Sequence, residues 1–317
     1  MPRKRLVRGE AGKEARRKER QKVGRLSENV VSPNVLRRYV DRASAFAQWD
    51  QCQAWCGSPL VDERLGRYIE ELWADGDPKR FGYDTICGVQ HVLPHLKRHL
   101  AGSWRLMTAW EKLELPTRAP PLPLEVVQGL GGMAFAYGLE WLGLCLVLGW
   151  HCLLRTTELT SIRVGHVSFS RGNSQAILAL GFTKGGKRRN ANEMVSVDDR
   201  FVTAKLGKLC EGRKPEEPLW PFSQLQMRRG LNLLVELAGL SRLEFSPYSL
   251  RRGGATWQFQ QTGSLDSCIV RGRWDSVRTA RVYIQDGLAV HGSLRLTALE
   301  QRALRTAAKL WWRTWPV

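Results

Sequence analysis

Residues 245–284, FSPYSLRRGGATWQFQQTGSLDSCIVRGRWDSVRTARVYI, decide how the rest of the sequence is interpreted. Tyr248 and Arg251 are three residues apart here, Trp274 follows Arg251 by 23 residues, and Tyr283 follows Trp274 by nine. Glycines at 253–254, 263 and 272 are expected to divide the stretch into short helical segments. We interpret the four side chains as parts of one site that handles a phosphate group.

The charge balance favours a polyanionic partner. The 317 residues carry a net charge of +19 and give an isoelectric point of about 10.1. Such an excess points first to nucleic acid and second to an anionic membrane surface. A small basic structural protein is the plain alternative, but 13 Trp residues and a 43% hydrophobic fraction provide a real core. The length corresponds to about two domains.

Cysteine usage and the absence of apolar targeting segments predict an intracellular protein. The seven cysteines form no CxxC pair, and Cys52 and Cys56 lack a second pair to complete a zinc site. The N-terminus is basic without an apolar core, so a secretion signal is not expected. The most apolar run, residues 139–154, is shorter than the roughly 20 residues that a membrane span requires. We expect reduced thiols, no metal and no membrane segment.

The N-terminal part divides into a basic tail and a helical domain. Residues 1–26 carry eleven Lys and Arg against three Glu, which predicts a disordered tail or a solvated, frayed helix. A nuclear-import signal, extra phosphate contacts and a solubilising role are all open interpretations. Residues 27–114 show helical apolar spacing. His91, His95 and His99 fall at four-residue steps, but Pro94 interrupts them, so an exposed face is favoured over a metal site.

Four prolines in residues 115–124 predict an extended linker and a domain boundary. Residues 125–317 form the second domain. Within it, residues 126–154 are helical and apolar nearly all round, so this segment is expected to be central.

A β-hairpin and three further helices are expected after it. Residues 176–183 and 193–197 predict two strands, and Gly185-Gly186 indicates a tight hairpin with Lys184 and Lys187 near its tip. Asp198 or Asp199 would cap the next helix, and another helix is expected at 223–240. Residues 293–312 predict an amphipathic helix, which packs either on its own domain or on a neighbouring subunit.

Five motifs, in this order, resemble those of the tyrosine recombinase/integrase family, the Cre and lambda-integrase class. They are LLRTTEL (153–159), FTKGGK (182–187), SPYSLRRGGAT (246–256), GRW (272–274) and TARVYI (279–284). The resemblance covers residues 125–285 and implies a mainly α fold with a small antiparallel β-sheet. It further implies a helical, SAM-like core-binding domain at 27–114, joined to a DNA breaking-rejoining catalytic domain at 125–317.

The resemblance assigns roles that suit the chemistry of these side chains. Arg155 and Arg251 would hold the attacked phosphate, because each guanidinium is a permanently charged, bidentate donor. Trp274 would donate its indole N–H to a phosphate oxygen. Tyr283 would be the nucleophile that forms a 3′-phosphotyrosine link. Because the link conserves the energy of the broken bond, no cofactor is required.

The remaining assignments support these four residues. Lys184 would protonate the leaving 5′ oxygen, with Lys187 as the open alternative. Glu158, three residues from Arg155, would hold an arginine in place. Tyr248, also counted with the catalytic residues, stands where the family has a histidine, and its phenol can donate a hydrogen bond to the phosphate but is a poor base. Contacts to the DNA backbone are expected from Lys187, Arg188, Arg189, Arg252, Arg273 and Arg278.

The sequence therefore predicts a site-specific recombinase or integrase, of mobile-element type, that acts on double-stranded DNA. The resemblance implies a C-shaped clamp around the duplex and a homotetramer on DNA, with monomers or dimers when free. The location would be nuclear in a eukaryote and cytoplasmic otherwise. Two alternatives stay open, a catalytically degenerate DNA-binding relative, motivated by Tyr248, and a type IB topoisomerase or resolvase-like activity.

Overall fold

Two compact units make up the computed structural model of the chain, which describes residues 10–51, 60–114, 118–170, 174–181, 192–284 and 292–313. Lys4–Thr117 forms one unit and Arg118–Val317 the other. Each unit has its own apolar core. None of the helices in these ranges is both long and apolar enough to cross a membrane.

The first unit contains helices and no strand in its described residues. Its α-helices are α1 (Glu10–Val23), α2 (Pro33–Asp50), α3 (Leu60–Ala74), α4 (Arg80–Val92) and α5 (Ala101–Leu113). Apolar residues at helical spacing bury one face of each packed helix, as Leu65, Ile69 and Leu72 do in α3. The basic segment forms α1, whose described side chains are mostly exposed, so residues 10–23 are a solvated helix.

The three histidines of this unit do not share a helix face. His91 lies in the last turn of α4, His95 lies in a short 3-10 helix (Pro94–Arg98), and His99 follows that helix. Proline at position 94 cannot continue the α-helical hydrogen bonds, which is why the four-residue spacing is lost.

The second unit combines helices with a small antiparallel sheet, which confirms the fold class expected from the sequence. Strands β1 (Val167–Phe169), β2 (Ala176–Gly181) and β3 (Glu193–Val197) pair in the order β1-β2-β3. The helices are α6 (Leu124–Ala136), α7 (Glu140–His151), α8 (Thr156–Thr160), α9 (Arg200–Cys210), α10 (Gln224–Leu237), α11 (Pro247–Thr262), α12 (Leu265–Gly272), α13 (Val277–Tyr283) and α14 (Ala298–Arg313).

The segment 126–154, expected to be helical, contains two helices, α6 and α7. Gly138 has a φ of +70°, a conformation that glycine adopts without strain, and it ends α6. Both helices are buried on nearly all sides, so the expected central position is correct.

The sheet has three strands, one more than the expected two-stranded hairpin. β1 was not predicted, because a strand of three residues is too short to display alternation. In β3 the side chains of Glu193, Val195 and Val197 are buried while the residues between them are exposed. The cap of α9 is Asp199, whose carboxylate accepts a hydrogen bond from the Val202 N–H at 2.9 Å.

Gly253 and Gly254 lie inside α11 and do not break it. A Cβ added at Gly253 would lie 1.9 Å from the Leu122 carbonyl oxygen, and one at Gly254 would lie 2.0 Å from the Trp150 carbonyl oxygen. The two glycines therefore allow α11 to lie directly on α7 and on the segment before α6. The expected break at Gly263 is correct, since it ends α11 with a φ of +62°.

We predict that Gly253→Ala destabilises the second unit. Alanine would favour the helix by about 1 kcal/mol, but its methyl group meets a backbone oxygen that no rotamer change can move. Overpacking costs about 1–3 kcal/mol, so we expect the free energy of unfolding to fall, as measured by urea denaturation. Gly66→Ala in α3 is the control, because its nearest neighbour would be 3.4 Å away. A Gly253→Ala protein as stable as wild type would contradict the close approach.

The C-terminal helix α14 packs on α6 of the same domain. A Cβ at Gly129 would lie 2.5 Å from Leu304, and one at Gly132 would lie 1.8 Å from the Ala307 carbonyl oxygen. Arg242 also holds the start of α14 by two hydrogen bonds to Glu300, at 2.7 and 2.8 Å. Of the two positions that the sequence left open for this helix, the single chain shows the one on its own domain.

Candidate active site

The structure brings together four of the residues selected from the sequence. Arg155 immediately precedes α8, Arg251 lies in α11, Trp274 follows α12, and Tyr283 ends α13. The guanidinium carbon of Arg251 lies 5.1 Å from the ring centroids of both Trp274 and Tyr283. Side chains separated by more than 100 residues in sequence thus surround one point.

Arg251 is fixed at the centre of this group, with 1% of its surface exposed. One terminal nitrogen donates to the Leu153 carbonyl oxygen, and the other donates to the Gly272 carbonyl oxygen at 2.6 Å. Leu153 has a φ of +48°, an uncommon conformation for leucine. Burial, followed by the charges of Arg273 and Arg155, lowers the pKa of Arg251 to about 10, so it remains a cation at neutral pH.

Glu158 is the buried carboxylate that organises the arginines. It accepts hydrogen bonds from the backbone N–H of Arg155 at 2.9 Å and from the Arg155 guanidinium, and it lies 3.9 Å from Arg251. Burial alone would raise the pKa of Glu158, but Arg273 and Arg155 outweigh it, so the pKa lies below its ordinary value. Burial alone would lower the pKa of Arg155, but the hydrogen bond to Glu158 outweighs burial, so the pKa of Arg155 lies above its ordinary value.

Arg273 occupies the interior, in a setting unlike the exposed one expected of a DNA phosphate contact. It donates to Glu158 at 2.8 Å and lies 3.3 Å from Glu193 of β3. It also donates to the carbonyl oxygens of Cys152 and Leu153. The Arg273 guanidinium therefore connects the residues that follow α7 with α8 and β3.

Glu193 is a site residue that the sequence analysis missed. The alternation of β3 carries the signal, since Val195 and Val197 point into the core and a residue two positions earlier shares their face. A buried carboxylate at that position requires a cationic partner, and Arg273 provides it.

Two aromatic rings, those of Trp274 and Tyr248, flank the ring of the candidate nucleophile Tyr283. The Tyr283 ring centroid lies 4.7 Å from that of Trp274 and 5.5 Å from that of Tyr248. Trp274 is 4% exposed, and its indole N–H has no hydrogen-bond partner in the described part of the chain. Burial and a hydrogen bond with Tyr283 raise the pKa of Tyr248 to about 12, so Tyr248 is a neutral phenol at neutral pH. It can donate a proton in a hydrogen bond but cannot act as a base there.

The other residues expected to contact DNA fall into three groups. Arg278 is exposed on α13, as such a contact requires. Arg252 is 0% exposed, and none of its guanidinium nitrogens has a hydrogen-bond partner among the described residues. Three of these residues lie outside the described ranges, namely Lys187, Arg188 and Arg189, and so does Lys184, the expected proton donor.

The charges of the site leave it cationic. The buried or half-buried arginines are Arg155, Arg251, Arg252 and Arg273, whereas Glu158 and Glu193 are the carboxylates paired with this group. Such a site favours an anion, and preferentially one whose negative charge increases during reaction. In the part of the chain that the structure describes, no cluster of three His, Cys, Asp or Glu side chains could hold a metal ion.

Comparison with solved structures identifies the fold. The XerH site-specific recombinase bound to its palindromic difH substrate aligns with a TM-score of 0.56 and 13% identity, over 87% of this chain and 77% of that one. A lambda integrase dimer bound to a COC′ core site gives 0.56 and 14%, over 83% and 74%. The Tn1549 transposon integrase with circular intermediate DNA gives 0.57 and 11%, over 86% and 98%.

The chain therefore has the tyrosine recombinase fold, which confirms what the five sequence motifs implied about its architecture. No family model matches the sequence, and no curated protein matches it. At 11–14% identity the likeness concerns the fold alone.

Proposed function

We propose that the protein is a site-specific DNA recombinase or integrase that cleaves and rejoins strands through Tyr283. The arrangement of Arg155, Arg251 and Trp274 around the Tyr283 ring is the observation that carries the proposal. The net charge of +19 suits a DNA partner, and the structural neighbours named above are recombinases and integrases in complex with DNA.

The reaction follows from the chemistry of the site. The Tyr283 hydroxyl gives its proton to solvent and its oxygen attacks the phosphorus, forming a new O–P bond. The bond from phosphorus to the 5′ oxygen breaks, and that oxygen takes up a proton. The reverse sequence joins the strand to a new 5′ hydroxyl, so no net energy input is needed.

The cationic site stabilises this step electrostatically. A phosphodiester carries one negative charge, and a second develops on its oxygens as the tyrosine oxygen adds. Arg155 and Arg251 would balance that charge, and the unpartnered indole N–H of Trp274 would donate to a phosphate oxygen. Glu158 and Arg273 would keep the arginines in place.

The proposal extends to the organisation of the chain. Residues 27–114 would be the core-binding domain, 115–124 the linker, 125–317 the catalytic domain and 1–26 a basic extension. A homotetramer would assemble on double-stranded DNA, and in a eukaryotic cell the protein would act in the nucleus.

Covalent capture tests the proposal without knowledge of the target. A duplex library carries one linkage in which sulfur replaces the 5′ bridging oxygen, flanked by randomised bases. Cleavage releases a thiol that rejoins poorly, so the phosphotyrosyl link accumulates. We expect an SDS-resistant protein–DNA adduct enriched in a common sequence, and its absence across the library would contradict cleavage. Relaxation of supercoiled DNA lacking the selected sequence would instead favour a type IB topoisomerase.

The same substrates decide between Lys184 and Lys187 as proton donor. A thiol leaves without protonation, whereas the natural 5′ oxygen needs an acid, which is worth about 10²–10⁴-fold. We expect Lys184→Ala to lose cleavage of natural DNA by that factor and to recover on the sulfur-containing DNA. Lys187→Ala should cleave natural and sulfur-containing DNA at similar rates. If instead Lys187→Ala shows the selective loss on natural DNA and Lys184→Ala does not, Lys187 is the proton donor.

A catalytically degenerate, DNA-binding protein is the second candidate, because Tyr248 is a neutral phenol where the family has a histidine. Tyr248→His would supply a group that titrates near neutrality. We expect the rate of adduct formation to rise by about 10²-fold, measured as a time course on the captured sequence. DNA binding without any adduct in either protein would support the degenerate alternative.

A further inference from the structure

Arg252 is a buried cation that no carboxylate of the described residues neutralises. Its side chain is 0% exposed, and its three guanidinium nitrogens lack hydrogen-bond partners among the described residues. The neighbouring Arg251 is equally buried but donates to two carbonyl oxygens. Since an arginine stays protonated in proteins, Arg252 keeps its charge without a visible counter-ion.

The surroundings of Arg252 are themselves suited to an anion. Tyr248 lies four residues earlier on the same face of α11, and Arg118 and Tyr283 are the other groups that act on it electrostatically. Burial, together with the positive charge of Arg118, lowers the pKa of Arg252. Glu158, a buried carboxylate of the site, is occupied by three other arginines.

The backbone holds Arg252 in this position. Because Gly253 and Gly254 press α11 against the carbonyl oxygens of Leu122 and Trp150, the helix cannot rotate to bring Arg252 into solvent. An uncompensated buried charge is strongly unfavourable, so the folded protein retains a cost that a bound anion would relieve.

We propose that Arg252, together with Arg118, forms a second anion site, which takes a phosphate of the DNA backbone beside the attacked one. Successive residues of a helix point in different directions, so Arg251 and Arg252 serve different phosphates. Tyr248 is 42% exposed and Arg118 is exposed, so both side chains can move aside to admit the anion. The identity of the ligand as DNA rests on the proposed function, whereas the anion site does not.

Inorganic phosphate is the first probe. The melting temperatures of wild type, Arg252→Met and the exposed-arginine control Arg229→Met are measured with phosphate or chloride at equal ionic strength. Phosphate should raise the melting temperature of wild type and of the control by the same amount. In Arg252→Met the rise in melting temperature should be at most half as large. In chloride, Arg252→Met should melt at or above the wild-type temperature, because an unpaired buried charge has been removed.

Two results would overturn the anion site. One is a phosphate-induced rise in Arg252→Met that is more than half of the wild-type rise. The other is a chloride melting temperature well below that of wild type, which would mean that Arg252 has a structural role. If Arg252→Met does not fold, Arg252→Lys replaces it, since lysine keeps the charge but loses the bidentate fork, and the rise should again be at least halved.

Duplex DNA is the second probe and separates a backbone phosphate from free phosphate. Loss of one phosphate contact lowers the slope of log affinity against log salt by about 0.9, which we expect for Arg252→Met relative to wild type. If Arg252→Met halves the phosphate-induced rise in melting temperature but leaves the salt slope of DNA binding unchanged, the site takes free phosphate and the DNA assignment is overturned. Covalent capture is scored separately. If wild type forms no adduct, the proposed function is contradicted but the anion site is not.

Discussion

Tyr283→Phe should form no covalent adduct with the captured DNA sequence. The substitution removes only the phenol oxygen that would attack phosphorus in the proposed reaction, so no phosphotyrosyl bond could form. The aromatic ring stays, together with its positions 4.7 Å from Trp274 and 5.1 Å from the Arg251 guanidinium. We therefore expect the variant to fold and to bind duplex DNA as wild type does, with adduct formation scored on denaturing gels.

Two further variants make this result specific. Tyr137→Phe changes an exposed tyrosine after α6 and should leave the adduct intact. Tyr248→Phe removes the hydroxyl of the rival tyrosine, whose ring is 5.5 Å from that of Tyr283. An adduct that persists in Tyr283→Phe and disappears in Tyr248→Phe would transfer the role of nucleophile to Tyr248.

Glu158→Gln should destabilise the second unit more than any other carboxylate substitution in the described part of the site. It removes the negative charge shared by Arg155, Arg251 and Arg273 while preserving the shape of the side chain. Removing one partner of a buried ion pair costs about 3–5 kcal/mol, and we expect a loss of this size in the free energy of unfolding by urea. Glu217→Gln is the control, because Glu217 pairs with Arg213 at the surface.

The destabilisation should depend on pH in a defined direction. The pKa of Glu158 is lower in the folded protein than its ordinary value of 4.5. Its charge therefore contributes full stability above about pH 4.5, and the contribution is lost as the pH falls through the folded-state pKa. The difference between wild type and Glu158→Gln should shrink in acid. A difference that stays constant from neutral to acidic pH would mean that the charge is not what matters.

The fold class and the site constellation could be predicted because their signals are local. Arg155, Arg251, Trp274 and Tyr283 each lie in a short motif at a fixed spacing, and the structure brings them around one point. The helices likewise have local start signals, such as Ser223 before α10 and Pro247 in the first turn of α11.

What could not be predicted depends on contacts between distant segments. Gly253 and Gly254 were expected to break a helix, yet they lie inside one, because only the packed structure brings the Leu122 and Trp150 carbonyl oxygens against them. Gly138, which lies between α6 and α7, is not distinguishable in sequence from the other glycines of that apolar run.

The arginines illustrate the same limit. A basic side chain near a proposed DNA site is expected at the surface, but Arg252 and Arg273 are both buried. Their environments differ, since Arg273 is paired with Glu158 and Glu193 while Arg252 is not paired with any described residue. Sequence spacing does not reveal which arginine has a carboxylate partner from another strand or helix.

The most direct measurement is the mass of the peptide that carries the DNA after capture. The SDS-resistant adduct is digested with a protease and a nuclease, and the remaining nucleotide is located by tandem mass spectrometry. If Tyr283 is the nucleophile, we expect a single modified peptide from α13, with a 3′-linked nucleotide on the oxygen of Tyr283. A nucleotide on Tyr248, on any other residue, or linked through its 5′ end would contradict that assignment.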